Sequence, residues 1–192
     1  MTGVVRIARD AQPEMPWANG GGVTRQIAIE PAHATLAGGF HWRVSRARVA
    51  SDGPFSILPG VDRSLWLLAG NGVRLDVDGR EVVLAQPLQR YDFAGEVPIR
   101  ASLLAGPIED LNVMTARAHV RASAQVLELA RDGRHEVASA PQRLVVVLAG
   151  AVRCADAEAS AGDALRSDGV APFAVQCAVA PCRLLVCRFL PV

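Results

Sequence analysis

The sequence predicts an all-β protein, a sandwich or barrel made of two related halves. Three observations carry this expectation. Short alternating or β-branched segments are common, and stretches of helical period are scarce. Glycine (17 residues) and proline (12 residues) punctuate those segments along the whole chain, and turns roughly every 8–12 positions are the spacing of sandwiches and barrels. Finally, Leu68-Ala69-Gly70 recurs eighty residues later as Leu148-Ala149-Gly150. Each copy follows an apolar strand and precedes Val-Arg (Val73-Arg74; Val152-Arg153), with turn residues further on, Gln86-Pro87 and Ala161-Gly162-Asp163. Two stacked β-barrel halves account for such a repeat.

In chain order, the pattern predicts strands at 42–49, 64–68, 73–77, 81–84, 125–129, 144–148 and 183–190. Asp78-Gly79, between two of them, favours a tight hairpin, and Asp132-Gly133 is a second such signal. Residues 109–122 fit a helix through Leu111, Met114 and Ala118, but they also alternate, and strand is the preferred reading. With no Pro-rich or Ser-rich linker, one compact unit over 1–192 is expected, with halves at 1–117 and 118–192.

Composition excludes several functions. In 192 residues, 51% are hydrophobic, 20% are charged and the net charge is +1. That is a foldable chain without the positive excess a general nucleic-acid binder needs. All basic residues are Arg and none is Lys, so Schiff-base chemistry and Walker-type phosphate binding lose their usual group. The N-terminal stretch has no apolar h-region and reads as no signal peptide. The apolar run 144–152 is too short for a bilayer, which takes about 20 residues. The four Cys, at 154, 177, 182 and 187, then read as reduced thiols, and the expected setting is the cytoplasm, with no membrane and no nucleic-acid partner.

Signatures of familiar chemistry are missing. His33, His41, His119 and His135 are scattered without a His-x-His pair, the cysteines have no Cys-x-x-Cys, and there is no Gly-x-Ser-x-Gly. No metal site and no cofactor are expected. The densest segments lie early. In residues 42–47, period two puts Trp42, Val44 and Arg46 on one face and Arg43, Ser45 and Ala47 on the other. Upstream, Arg25 is expected to share a face with Ile27 and Ile29, and Thr24 with Gln26. An Arg among apolar neighbours either pairs with a carboxylate, Asp62, Asp92 or Asp110, or lines a pocket that receives an anion. Gly20-Gly21-Gly22 is either a close-approach anion loop or a plain loop. Asn112 and Met114 share a strand face that suits a small pocket or a satisfied core.

At these residues the chain resembles the HutD/Ves family. The resemblance rests on Pro16-Trp17 with Asn19 to Thr24-Arg25, Trp42-Arg43-Val44-Ser45, Asp52-Gly53-Pro54-Phe55-Ser56 with Pro59-Gly60 and Asp62-Arg63, and Gly106-Pro107 with Asp110 to Thr115. Phe93-Ala94-Gly95-Glu96 and Leu103 extend it, so that it spans about residues 13–117. It departs at Ala18 and Ala116, where the family often has Lys and Arg. The resemblance implies a bicupin, two double-stranded β-helix (jelly-roll) barrels in one chain, without the usual cupin histidine ligands. It also implies a link to bacterial histidine utilisation, through an intermediate such as urocanate or formylglutamate.

The expectation is therefore a metal-free bicupin that binds a small carboxylate and modulates that pathway. Arg25 and Arg43 supply charge-assisted bonds. Asn19, Thr24, Ser45 and Ser56 supply neutral ones, Trp17 and Phe55 exclude water, and Arg63 and Asn112 complete the candidate site. Two alternatives are a metal-free isomerase or epimerase using His41 or Asp92, and a partner-binding module that docks a regulator or a second copy as a homodimer.

Overall fold

A computed structural model describes residues 3–155 and 157–192. Its strands are β1 (Val4–Ile7), β2 (Glu14–Pro16), β3 (Gly22–Glu30), β4 (Trp42–Val49), β5 (Gly53–Pro54), β6 (Val61–Ala69), β7 (Val73–Val77), β8 (Arg80–Leu84), β9 (Arg90–Ala94), β10 (Ile99–Leu103), β11 (Ile108–Ala116), β12 (Val120–Leu129), β13 (Arg134–Val137), β14 (Gln142–Cys154), β15 (Ala157–Ser160), β16 (Ala164–Ser167) and β17 (Phe173–Pro191). One 3-10 turn, Arg9–Ala11, is the only helical piece among the described residues. The chain is all-β.

The chain divides into two compact units, residues 13–120 and a terminal unit that joins the residues up to Gln12 with those from Arg121 onward. The first residues go with the end of the chain because β1 pairs antiparallel with β16. Asp163 secures that join, accepting from Arg6 Nε at 3.0 Å and from the Arg9 backbone N–H at 2.9 Å.

In residues 13–120, one sheet has the order β2-β3-β4-β11-β6-β9 and the other β5-β10-β7-β8. β7 shows why they adhere: Val73, Leu75 and Val77 are buried while Arg74 and Asp76 between them are exposed. With Leu84, Ile99 and Ala101 they form one apolar cluster with Ala47, Val49, Leu65 and Leu67 of the larger sheet. Asp78 and Gly79 (φ 49° and 82°) make the hairpin to β8, both in the left-handed region that an Asp-Gly pair tolerates. β11 is nearly all buried and hydrogen-bonded on both edges, by β4 and β6. That is why its alternation is weak in the sequence.

The terminal unit is a sheet of order β1-β16-β14-β17-β12, with β13 on β17 and β15 on β14. The Asp132-Gly133 turn thus joins two strands that both pair with β17. Val145, Val147, Leu165, Val175, Leu184 and Val186 centre its core, and Cys154, Cys177 and Cys182 join them as small apolar groups. All four cysteines are free and buried.

The Leu-Ala-Gly repeat is structural. Gly70 and Gly150 both have positive φ, 98° and 74°. A Cβ at Gly70 would lie 2.7 Å from the Pro107 carbonyl oxygen, and one at Gly150 would lie 2.3 Å from that of Val179. Each glycine therefore allows another stretch of backbone to pass in contact.

Candidate functional site

The large sheet of residues 13–120 carries a cavity of about 470 Å³. Ladder partners on neighbouring strands share a face, so β4, β11 and β6 place their side chains in rows. Arg43 lies opposite Met114, which lies opposite Arg63; Ser45 lies opposite Asn112, and Ala47 opposite Asp110. Arg43, Ser45, Arg63, Asp110, Asn112 and Met114 all line the cavity and are all buried.

Both guanidiniums are held by neutral groups. Arg43 donates through Nε to Gln26 Oε1 at 2.9 Å and through Nη1 to Ser45 Oγ at 3.2 Å. Arg63 donates through Nε and Nη2 to Asn112 Oδ1, each at 3.3 Å, and through Nη1 to the Ser56 carbonyl at 3.4 Å. The three Arg63 bonds are long for a charged donor. The Arg63 guanidinium also lies 5.1 Å from the centre of the Phe55 ring and 4.9 Å from that of Phe93. Burial lowers the Arg43 pKa, and it pulls Arg63 down to about 10, with Asp110 raising it and Arg43 lowering it. Both remain cations at neutral pH. Among the described residues, neither forms an ion pair with a carboxylate.

Asp110 is the one acid on the wall. Burial pushes its carboxyl up to about 7, although the Arg63 charge and a hydrogen bond from Asn112 oppose this, and the Glu109 charge adds to it. Its Oδ1 is buried without a hydrogen-bond partner.

The rim comes from the loop before β3. Trp17 donates from Nε1 to Thr24 Oγ1 at 2.8 Å, which fixes the indole as a wall. Asn19 accepts from the Gly21 backbone N–H at 3.0 Å. The glycine run serves this loop and does not line the cavity. A Cβ at Gly21 would lie 2.5 Å from Ser51 Oγ, and one at Gly22 would lie 2.6 Å from the Arg48 carbonyl and 3.0 Å from the Trp17 ring.

Nine of the ten expected residues meet here: Trp17, Asn19, Thr24, Arg43, Ser45, Phe55, Ser56, Arg63 and Asn112. Arg25 does not, because it alternates with Thr24 and Gln26, which lie opposite the cavity-lining Ala47 and Ser45. Arg25 sits opposite Arg46 on the other face, and a bulge between Gln26 and Ala28 then separates it from Ile29, which sits opposite Arg43, so the expected shared face of Arg25 and Ile29 does not form. Arg25 pairs there with Glu14, its neighbour on β2. Sequence reasoning treated Asp110 only as a salt-bridge partner and gave Gln26 no role. Period two pointed to both, since Asp110 alternates with Asn112 and Gln26 with Thr24. Asp62 pairs with Arg117 and Asp92 with Arg90. His41 stacks on His119 with ring centres 4.3 Å apart, and neither His41 nor Asp92 lines the cavity, so the acid–base pair expected of an isomerase is not assembled there. Two guanidiniums beside one carboxylate do not fit a divalent cation, which needs several anionic or neutral donors converging on it. Among the described residues, no group of three His, Cys, Asp or Glu converges elsewhere, and no helix is long and apolar enough to cross a membrane.

The sequence model of the HutD family matches residues 9–183. The chain belongs to the HutD family. It is 38% identical over 113 residues to an uncharacterized 21.2 kDa protein in the hutC 3′ region of Pseudomonas putida, covering 59% of this chain and 58% of that protein. It is 38% identical over 136 residues to protein Ves of Cronobacter sakazakii, covering 70% and 71%. The chain thus spans under two thirds of the first of these relatives. Among solved structures, HutD of Pseudomonas fluorescens SBW25, in a formate condition, matches with TM-score 0.84 and 27% identity over 98% of this chain and 99% of that one. A conserved protein of unknown function from Pseudomonas aeruginosa PAO1 matches with TM-score 0.88 and 27% identity over 97% and 98%. A cupin 2 conserved barrel domain protein from Leptotrichia buccalis matches at 11% identity and TM-score 0.61 over 98% and 97%, which places this HutD chain in the cupin fold.

Proposed function

We propose that this HutD chain binds a small carboxylate in the cavity of residues 13–120, without a metal, and that it acts on histidine breakdown by holding an acid of that pathway such as urocanate or formylglutamate. One observation carries the reading: Arg43 and Arg63 are buried on the wall of a single cavity with no carboxylate paired to either. A buried cation lacking a counter-charge is costly, and an anionic ligand offsets that cost where hydrophobic burial cannot. Trp17 and Phe55 supply an apolar wall that strengthens the charge-assisted bonds, and Ser45 and Asn112 hold the guanidiniums in place. The pathway assignment is supported by the hutC-region relative. Ala18 on the cavity rim, where the family often carries Lys, makes this member's rim less positive.

Calorimetry with urocanate, formylglutamate and related acids tests the reading. Saturable binding by at least one acid is expected, weakened about 100-fold in Arg43→Ala, as for loss of one partner of a buried charge pair. Absence of binding by every acid, or an Arg43→Ala protein that binds as the wild type does, overturns it.

A further inference from the structure

We infer that Phe93, which does not line the cavity, is a positioning residue for it: its ring holds the Arg63 guanidinium in the orientation that a bound acid meets. The inference rests on the carboxylate-binding reading and deepens it. β9 pairs with β6 so that Phe93 lies directly opposite Arg63, and partners across a ladder share a face. The Arg63 guanidinium carbon lies 4.9 Å from the centre of the Phe93 ring and 5.1 Å from that of Phe55, while the two ring centres are 6.0 Å apart. Rings clasping the cation from opposite sides would have centres separated by nearly the sum of their distances to it. The shorter spacing puts both rings on one side of the guanidinium and leaves the other side to Asn112, Ser56 and the cavity.

Hydrogen bonds alone hold Arg63 weakly. Its bonds are 3.3 Å or longer, and Nε and Nη2 share a single acceptor, Asn112 Oδ1. An arginine has many rotamers, and a guanidinium that turns freely must be ordered again whenever a ligand binds. A ring face fixes it beforehand, because the negative face attracts the cation. Phe93 is itself braced. Tyr91, two residues earlier on the same face of β9, stacks on it with ring centres 5.8 Å apart and planes 19° apart. The Tyr91 hydroxyl in turn accepts from Arg80 Nη2 at 3.0 Å. Phe55 follows the two-residue β5 and is cavity wall, whereas Phe93 is built into the β6·β9 ladder behind that wall. In the terminal unit Phe173 lies against Arg143 at a similar distance, 4.8 Å, but loop carbonyls and Ser167 hold that guanidinium. Phe173 is therefore the matched control.

The test compares Phe93→Leu, which keeps apolar bulk, with Phe93→Tyr, which keeps the ring. Calorimetry with urocanate and formylglutamate reads affinity. Proton–nitrogen NMR of the arginine Nε–H groups reads the order of Arg63 without any ligand, its signal being assigned by its loss in Arg63→Met. In wild type and in Phe93→Tyr that signal is expected to be displaced by the ring current and slow to exchange with water. In Phe93→Leu it should move to the position of exposed arginines and exchange faster. Affinity should fall about fivefold in Phe93→Leu, return in Phe93→Tyr and stay unchanged in Phe173→Leu. A wild-type Arg63 signal at the position of exposed arginines, a signal unchanged in Phe93→Leu, or a Phe93→Leu affinity equal to or above that of wild type overturns the inference while leaving carboxylate binding intact. If neither acid binds, carboxylate recognition fails on its own, and the Nε–H signal alone decides whether Phe93 orders Arg63.

Discussion

Arg63 and Arg143 stand eighty residues apart, as do Phe93 and Phe173, and the same pairing is built twice. In residues 13–120 the guanidinium of Arg63 lies 4.9 Å from the Phe93 ring; in the terminal unit that of Arg143 lies 4.8 Å from Phe173. Each Arg lies near the start of a strand that runs to the Leu-Ala-Gly of its repeat. They differ in what completes the cation. Arg143 donates to the Ala171 carbonyl at 2.6 Å, to Ser167 Oγ at 3.0 Å and to the Gly169 carbonyl. Arg63 has only long bonds and a cavity. The segment before the Phe explains the difference. Before Phe93 the chain is already β9, held in register on β6 with Phe93 opposite Arg63. Before Phe173, residues 168–172 form a loop, and its carbonyls turn onto Arg143. The loop carbonyls engage both terminal nitrogens of Arg143 and leave only its Nε without a partner, so that arginine is tied to its own chain; Arg63 stands beside a void where a ligand can reach it.

The buried acids differ in the same way. At Asp163 burial pushes the carboxyl up, but the backbone N–H groups of Ser160 and Arg9 and the charge of Arg6 outweigh it and hold the pKa below the ordinary range. Asp110 is raised to about 7. The consequences for stability have opposite signs. Asp110 keeps its proton longer when folded, so its contribution is most favourable below about pH 4 and worsens as pH rises to 7. Asp163 contributes stability above the ordinary carboxylate pKa and loses it as pH falls through its lowered folded value. The largest expected effect is therefore with Asp110→Asn. Urea unfolding should show a gain near pH 8 on the order of 4 kcal/mol, from a shift of about three pH units, fading by pH 4. Asp163→Asn should instead lose about 2 kcal/mol at pH 8, from charged hydrogen bonds left unmade. Equal signs for the two would break the comparison.

Next in size are the arginines. Arg143→Met should lower stability by about 2 kcal/mol, since the buried Ser167 hydroxyl and the Gly169 and Ala171 carbonyls lose a charged donor, with ligand affinity unchanged. Arg63→Met should weaken carboxylate binding about 100-fold, near 2.7 kcal/mol, yet alter stability by less than about 1 kcal/mol, because the charge it removes is one that burial disfavours. Calorimetry and denaturation run on both variants give the contrast. The smallest change is at the rim: Thr24→Val frees Trp17 Nε1 and should reduce affinity about threefold in calorimetry.

The amino-acid pattern revealed some parts of this molecule more readily than others. The pattern marks β7 at its observed ends, 73–77, because one of its faces is cleanly apolar, and β4 at 42–49 because its short run alternates, although Arg stands on both of its faces. The Asp78-Gly79 turn was local chemistry, and the Leu-Ala-Gly repeat marked where backbones touch. β14 and β17 were seen only in part, at 144–148 and 183–190, against Gln142–Cys154 and Phe173–Pro191. Gly150 and Pro181 interrupt the pattern there, and register shifts around Ala149 and Ala151 carry β14 across the gap. A bulge of the same kind after Gln26 reverses the face of Ile29 relative to Arg25; the place of Arg25 itself follows from alternation with Thr24, which no local signal assigns to the cavity side. The role of Asp110 needed tertiary structure: alternation gives a side chain its face, but an unfilled acceptor is visible only once all its neighbours are in place.

The most direct test is a high-resolution crystal structure of this chain soaked with urocanate or formylglutamate. The account predicts the carboxylate within about 3 Å of the guanidiniums of Arg43 and Arg63. Density for the acid only outside this cavity, or both guanidiniums paired to carboxylates of the chain itself, would contradict it.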